Sequence, residues 1–252
     1  MNLSTLLLLC FTLVVDASPL RTRNNALSLD LARITSLLGH TQIGNFSLTN
    51  ATLPLSDTNP KLPPVSPGLT LKHVALGRGT QNYTCSSSDK TATPAANGAL
   101  ATLYDASYLA SSYPKLLHAL PAALVGLPVD AVSYLTVLLG QLTSPKPGSL
   151  ILGQHYFTSN KAPFFDLRLG GDKDWAAAKQ NASVTAPSTS SSGSQDHDTK
   201  QDVSWLKLAS TSGTGIKEVY RVQTYGGAAP STCERQKGSF QVDYAAEYWF
   251  YG

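Results

Sequence analysis

Residues 203–252 read VSWLKLASTSGTGIKEVYRVQTYGGAAPSTCERQKGSFQVDYAAEYWFYG. Three runs rich in β-branched and aromatic residues are separated by Gly, Ser, Thr and Pro clusters, the pattern of consecutive strands joined by turns. Two of the three tryptophans (Trp205, Trp249) and five of the eleven tyrosines (Tyr220, Tyr225, Tyr244, Tyr248, Tyr251) lie here. Aromatic side chains bury the most area per residue, so the core is expected to be densest in this stretch.

Upstream, strand composition recurs at residues 69–76, 80–85, 99–109, 149–157 and 163–169, and strands resume at Val203, Ile216 and Phe240. Gly77-Arg78-Gly79 interrupts the first pair, which signals a bulge or a close backbone approach. Residues 113–142 are Leu-rich and predict two short helices, broken around Pro121 and Pro128 and stopped by Gly140. Asp130 and the two prolines argue against a membrane span there. Residues 184–200 (VTAPSTSSSGSQDHDTK) are almost free of apolar side chains and predict a mobile loop. The fold class expected is all-β, sandwich or barrel-like, of six to eight strands with a short helical insertion.

The chain of 252 residues is long enough for one domain with a substantial core. Residues 3–15 (LSTLLLLCFTLVV) form an apolar run followed by the small residues Ala17 and Ser18, a signal peptide with cleavage expected after Ala17. The span expected for the leader is therefore 1–17, and the protein is expected to be secreted. Residues 18–67 are an N-terminal helix (26–38, apolar at Leu27, Leu31, Ile34 and Leu38) and a Pro-punctuated linker, with one β-rich domain at 68–252. Cys10 leaves with the leader, so Cys85 and Cys233 remain in a disulfide-permissive compartment. They can form one intramolecular pair; the alternative is two buried thiols. Four Asn-x-Ser/Thr sequons, at Asn45, Asn50, Asn82 and Asn181, predict glycosylation at surface positions. If Asn82 faces solvent, alternation turns Gln81, Tyr83 and Cys85 inward.

Formal charge is +3, rising to +4 once Asp16 is lost with the leader. The cations form no stripe, and nothing resembles an aromatic RNA-binding pattern, so nucleic acid is not implied. GxSxG, HExxH, P-loop and CxxC signatures are absent from the sequence. Gly213-x-Gly215 and Gly77-x-Gly79 both fail to complete GxGxxG, at Glu218 and Asn82, so no NAD-binding motif and no cofactor are predicted. No metal site is assigned: Asp196-His197-Asp198 sits in the polar loop and reads as solvated. His155, in Gly153-Gln154-His155-Tyr156-Phe157, is followed by Asp166 in the next predicted strand. A buried Asp–His pair is suited to general acid–base work, or it can be purely structural. Asp166 with Glu247 would serve as a glycosidase pair only if the two faced each other across a cleft. Arg78, between two glycines, is a candidate for binding a carboxylate or phosphate through its planar fork. Trp175, in Gly170-Gly171-Asp172-Lys173-Asp174-Trp175, is a candidate platform for a ligand.

GRGTQNYTC (77–85), LGQHYF (152–157), VSWLKL (203–208), VYRVQTYGGAAPSTC (219–233) and VDYAAEYWFYG (242–252) together resemble a secreted family of unknown function. That family occurs in filamentous fungi and bacteria, and its fungal members often carry the name "malate dehydrogenase". The resemblance runs from about residue 68 to residue 252, and it implies an extracellular fungal protein without assigning catalytic residues. A dehydrogenase of that name needs a doubly wound α/β fold with a Gly-rich βα turn, and neither pattern is present. The function expected is therefore an extracellular domain binding polysaccharide or a small molecule. The alternative is a hydrolase or lyase acting through His155 and Asp166. Oligomeric state is left open.

Overall fold

Eight strands run in chain order around one sheet that closes on itself, each antiparallel to its neighbours. They are β1 (Leu71–Cys85), β2 (Ala95–Asp105), β3 (Ile151–Phe157), β4 (Pro163–Asp166), β5 (Trp175–Val184), β6 (Trp205–Thr214), β7 (Glu218–Gly226) and β8 (Gly238–Tyr251). Pairing of β1 with β8 along their length completes the barrel. The computed structural model describes residues 46–134, 136, 150–187 and 202–252. The expected leader, the expected helix at 26–38, Asn45 and most of the low-complexity loop lie outside the described residues. Among the described residues no helix is long and apolar enough to cross a membrane.

An eight-stranded barrel has an interior that side chains can fill. Here small and large residues alternate around it: Ala75, Ala101, Ala176, Ala178 and Ala246 against Phe165, Tyr244, Tyr248 and Phe250, all buried. Gly77 and Gly79 belong to this lumen. A Cβ at Gly77 would sit 2.5 Å from the Tyr248 ring, and one at Gly79 would sit 1.9 Å from the Leu100 carbonyl oxygen. Of the two readings of Gly77-Arg78-Gly79, close approach is therefore the one realised. The strand runs through it without a break, and the register shifts lie elsewhere, at Leu71/His73 and Gln81/Tyr83.

A second core lies outside the barrel. Helices α1 (Ser107–Ser112) and α2 (Pro114–Leu124) pack Leu116, Leu117, Leu120 and Leu124 against Val74, Leu76, Tyr220, Val222, Ala245 and Trp249. Residues 244–251 of β8 are buried without alternation because one face lines the lumen and the other meets the helices. The Pro-rich segment before β1 lies across the same wall as a strap. Leu62 is buried, the Tyr220 hydroxyl donates to the Pro63 carbonyl (3.0 Å), and the Lys207 ammonium donates to the Pro64 carbonyl (2.7 Å).

Three local expectations are corrected. Residues 107–109 are helical, not strand: the ladder of β2 ends at Asp105, whose carboxylate accepts the Ser107 N–H (2.9 Å) and turns the chain. Pro121 does not break its helix; α2 continues to Leu124, held by its buried leucine face, and the break falls between 125 and 128. Residues 167–169 leave the sheet after the short β4 and form a 3-10 turn, Arg168–Gly170. The strand β5 was not expected at all: WAAAKQNASV is alanine-rich and has weak strand propensity. Cys85 and Cys233 are joined by a disulfide and both are buried, with Tyr83 turned the same way to donate to the Gly227 carbonyl (2.8 Å).

Candidate functional site

The register of the β2–β5 wall decides which side chains can act together. Leu100, Tyr156, Phe164 and Ala177 pair in one row across four strands, and Thr102, Gln154, Asp166 and Trp175 pair in the next. Both rows project outward, because the intervening Ala101, His155, Phe165 and Ala176 fill the lumen. Tyr156 stacks on Phe164 (centroids 5.1 Å, planes 28° apart) and Phe164 stacks on Trp175 (5.4 Å, 18°). The result is an offset staircase of three half-buried rings, bordered by Leu100, which is 50% exposed.

A polar group borders the staircase. The Arg168 guanidinium grips Asp166 with two parallel bonds, Nε to Oδ1 at 2.8 Å and Nη2 to Oδ2 at 2.9 Å. These bonds hold the Asp166 carboxyl below its ordinary range, outweighing the opposing effect of desolvation. Arg168 also lies over the Trp175 ring, 5.3 Å from its centroid, while its side chain stays half exposed. Gln154, paired with Asp166 across the ladder, is exposed.

The expected Asp–His pair is not assembled. His155 and Asp166 belong to opposite faces of the sheet, since His155 pairs with Phe165 and Gln154 with Asp166. The imidazole is 3% exposed, stacks on Phe165 (4.4 Å) and shares its Nδ1 proton with the Phe164 carbonyl (3.0 Å). Burial pushes its pKa down to about 4; the Phe164 hydrogen bond opposes this and the Arg221 charge adds to it. Beside it in the lumen, the Tyr244 and Tyr248 hydroxyls are hydrogen-bonded at 2.8 Å. The buried Arg221 donates through Nη2 to the Ser204 carbonyl (2.8 Å).

Arg78 is 2% exposed and its donors are taken up by the protein itself. Nε reaches the Leu124 and Leu127 carbonyls (both 3.1 Å), Nη1 the Gly79 carbonyl (2.6 Å), and Nη2 both Leu127 (2.8 Å) and Asp243 (2.9 Å). It closes the carboxyl end of α2, where backbone carbonyls lack helical partners. The expected ligand-binding fork is thus already filled by the protein. Glu247 is likewise enclosed, accepting from His118 Nδ1 (2.7 Å) and Trp249 Nε1 (3.0 Å) beneath α2. It does not face Asp166 across a cleft. Asn50 and Asn181 are exposed and Asn82 is half-buried on β1.

Of the expected site residues, the structure therefore brings Asp166 and Trp175 together through Arg168 and leaves His155 and Arg78 in separate places. Tyr156, Phe164 and Arg168 were not singled out from sequence. Their signal was parity within 154–157 and 163–166, legible only once the β3–β4 register is known. The described residues thus form a closed antiparallel β-barrel with one helix-covered wall and one aromatic wall that no described element covers. Residues 65–252 match the family model described as "protein of unknown function (DUF3455)", and the chain belongs to that family. No curated protein and no solved structure matches it.

Proposed function

We propose that the protein is an extracellular binding domain that takes polysaccharide on the outer wall of β2–β5. The observation that carries this reading is the staircase Tyr156–Phe164–Trp175, half exposed and bordered by the Asp166–Arg168 pair. The apolar C–H face of a pyranose ring packs on aromatic rings, which bury much area at little conformational cost. Its hydroxyls need donors and acceptors alongside, and Arg168, Asp166 and Gln154 supply both. The apolar leader, the disulfide and the sequons support an extracellular setting. Binding is favoured over a hydrolase or lyase reaction because, among the described residues, His155 has no carboxylate partner and is buried among aromatic rings.

Retention of the secreted protein on insoluble wall polysaccharides (chitin, β-glucan, cellulose) tests the reading. A double variant Tyr156→Ala/Trp175→Ala is expected to lose at least about tenfold in affinity for the polysaccharide that retains the parent, since each aromatic contact contributes roughly 1 kcal/mol or more. Retention unchanged by the double variant, or no retention on any of the three, overturns it. The hydrolase or lyase alternative is revived by product release that His155→Phe abolishes.

A further inference from the structure

We infer that His73, Asp172 and Asp174 form a binding site for a divalent transition-metal ion at the end of the barrel where β1 begins. The inference is independent of the polysaccharide reading. His73 enters from β1, and the two carboxylates come from the loop between the 3-10 turn and β5, about a hundred residues later. His73 Nε2 lies 3.3 Å from Asp172 Oδ2 and 3.3 Å from Asp174 Oδ2, and the three donor atoms all fall within 4.8 Å of one another.

Those separations match donors around a shared ion, and His73 Nε2 is also within hydrogen-bond distance of Asp174 Oδ2 (3.3 Å). Donors around a four- or six-coordinate ion with bonds of about 2.1 Å stand about 3.0–3.4 Å apart. The more buried ion pairs in the same molecule are shorter, 2.8 Å for Arg168–Asp166, 2.9 Å for Arg78–Asp243 and 3.0 Å for Lys207–Glu218, whereas the exposed Lys90–Glu234 pair stands at 3.4 Å. Among the described residues His73 is the only basic ion-pair partner of either carboxylate, so negative charge is in excess even when the imidazole is protonated. A divalent cation neutralises that excess.

The loop aims the donors. Gly171 takes the left-handed conformation (φ 93°) that ends the 3-10 turn, and Asp172 Oδ1 then accepts the Lys173 and Asp174 N–H groups (2.6 and 3.3 Å). Its Oδ2 is left to face His73. Asp174 is fixed by its carbonyl, which accepts the Leu167 N–H at 3.1 Å, and by Gly215, where a Cβ would lie 1.9 Å from Asp174 Oδ1. The side chains are partly exposed (17%, 35% and 18% for His73, Asp172 and Asp174), so water can complete the coordination from outside. One imidazole and two carboxylates select Zn²⁺, Mn²⁺ or Fe²⁺ over Ca²⁺, which asks for six to eight oxygens.

The test is titration of chelator-treated, full-length secreted protein with ZnCl₂, MnCl₂ and CaCl₂ by calorimetry, with thermal unfolding in parallel. One Zn²⁺ or Mn²⁺ per chain is expected, with a rise in Tm of several degrees and at least tenfold weaker binding of Ca²⁺. His73→Gln and Asp172→Asn should each weaken binding at least tenfold while keeping the parent Tm in chelator; His197→Ala should leave it unchanged. Binding unaffected by both site variants, or loss of binding with His197→Ala, overturns the site, as does no binding of any of the three ions. Should the site variants fail to fold, the visible absorption of the parent with one equivalent of Co²⁺ decides. Ligand-field bands displaced by one equivalent of Zn²⁺ support the site, and the spectrum of aqueous Co²⁺ overturns it.

Discussion

The two outer walls of the barrel carry the same kind of residue to different ends. On β1, β7 and β8 the outward side chains Val74, Tyr220, Val222 and Trp249 are sealed beneath α2 and the Pro-rich strap. On β3, β4 and β5 the outward Tyr156, Phe164 and Trp175 have no element over them among the described residues and stack on each other. Polar groups follow the same division. Arg78, Glu247 and His118 on the covered wall are consumed by internal bonds, whereas Arg168 and Gln154 on the bare wall keep exposed surface. A titratable residue in this fold is thus a poor guide to function until its wall is known.

The largest effect concerns the disulfide, which ties the end of β1 to the loop between β7 and β8. Closing a segment with a sequence separation of 148 should stabilise by about 4–5 kcal/mol on the chain-entropy model. Denaturant unfolding of Cys85→Ser/Cys233→Ser is expected to show that loss with polysaccharide retention preserved below the new midpoint. Equal midpoints with and without the disulfide would break the account.

Next comes Trp249→Ala. Trp249 is fully buried and donates to Glu247, so removal leaves a large cavity and an unmet acceptor. A destabilisation of about 3–5 kcal/mol is expected by calorimetry. A value near 1 kcal/mol would mean that the helices do not seal this wall.

His155 lies in the lumen on the strand that also carries Tyr156, and its effect is a pH dependence. Its pKa falls to about 4 in the fold from 6.5, so the unfolded chain takes up the proton first. The contribution is fully present above pH 6.5 and is lost as pH falls towards 4, on the order of 3 kcal/mol in all. His155→Phe should flatten that part of the stability–pH curve. An unchanged acid limb would show that other groups carry it.

The class of fold was legible because residues 203–252 alternate strands and turns over a dense aromatic core, and the Cys85–Cys233 pairing followed from assigning Cys10 to the expected leader. Closure into a barrel was not legible, since β5 hides in an alanine-rich run whose role is to leave lumen space for Phe165 and Tyr248. The site was legible only in fragments. Trp175 and Asp166 were flagged singly, but their union depends on the β4–β5 register and on Arg168, which bends back along its own chain. His155 misled because strand parity alone cannot tell a lumen from a cleft. His73 and Asp172 could not be joined from sequence, as the contact spans four intervening strand pairings.

The smallest effect is also the most discriminating. Trp175→Ala removes the end of the staircase and the surface under Arg168, but the residue is only half-buried and the Asp166–Arg168 bonds persist without it. Stability should fall by about 1 kcal/mol, the scale of one aromatic pair with a partly exposed cation–π contact. Polysaccharide retention should fall by a much larger factor than that loss explains, which is the reverse of Trp249→Ala. If Trp175→Ala destabilised as much as Trp249→Ala and left retention untouched, the bare wall would be structural like the covered one, and the distinction between them would fail.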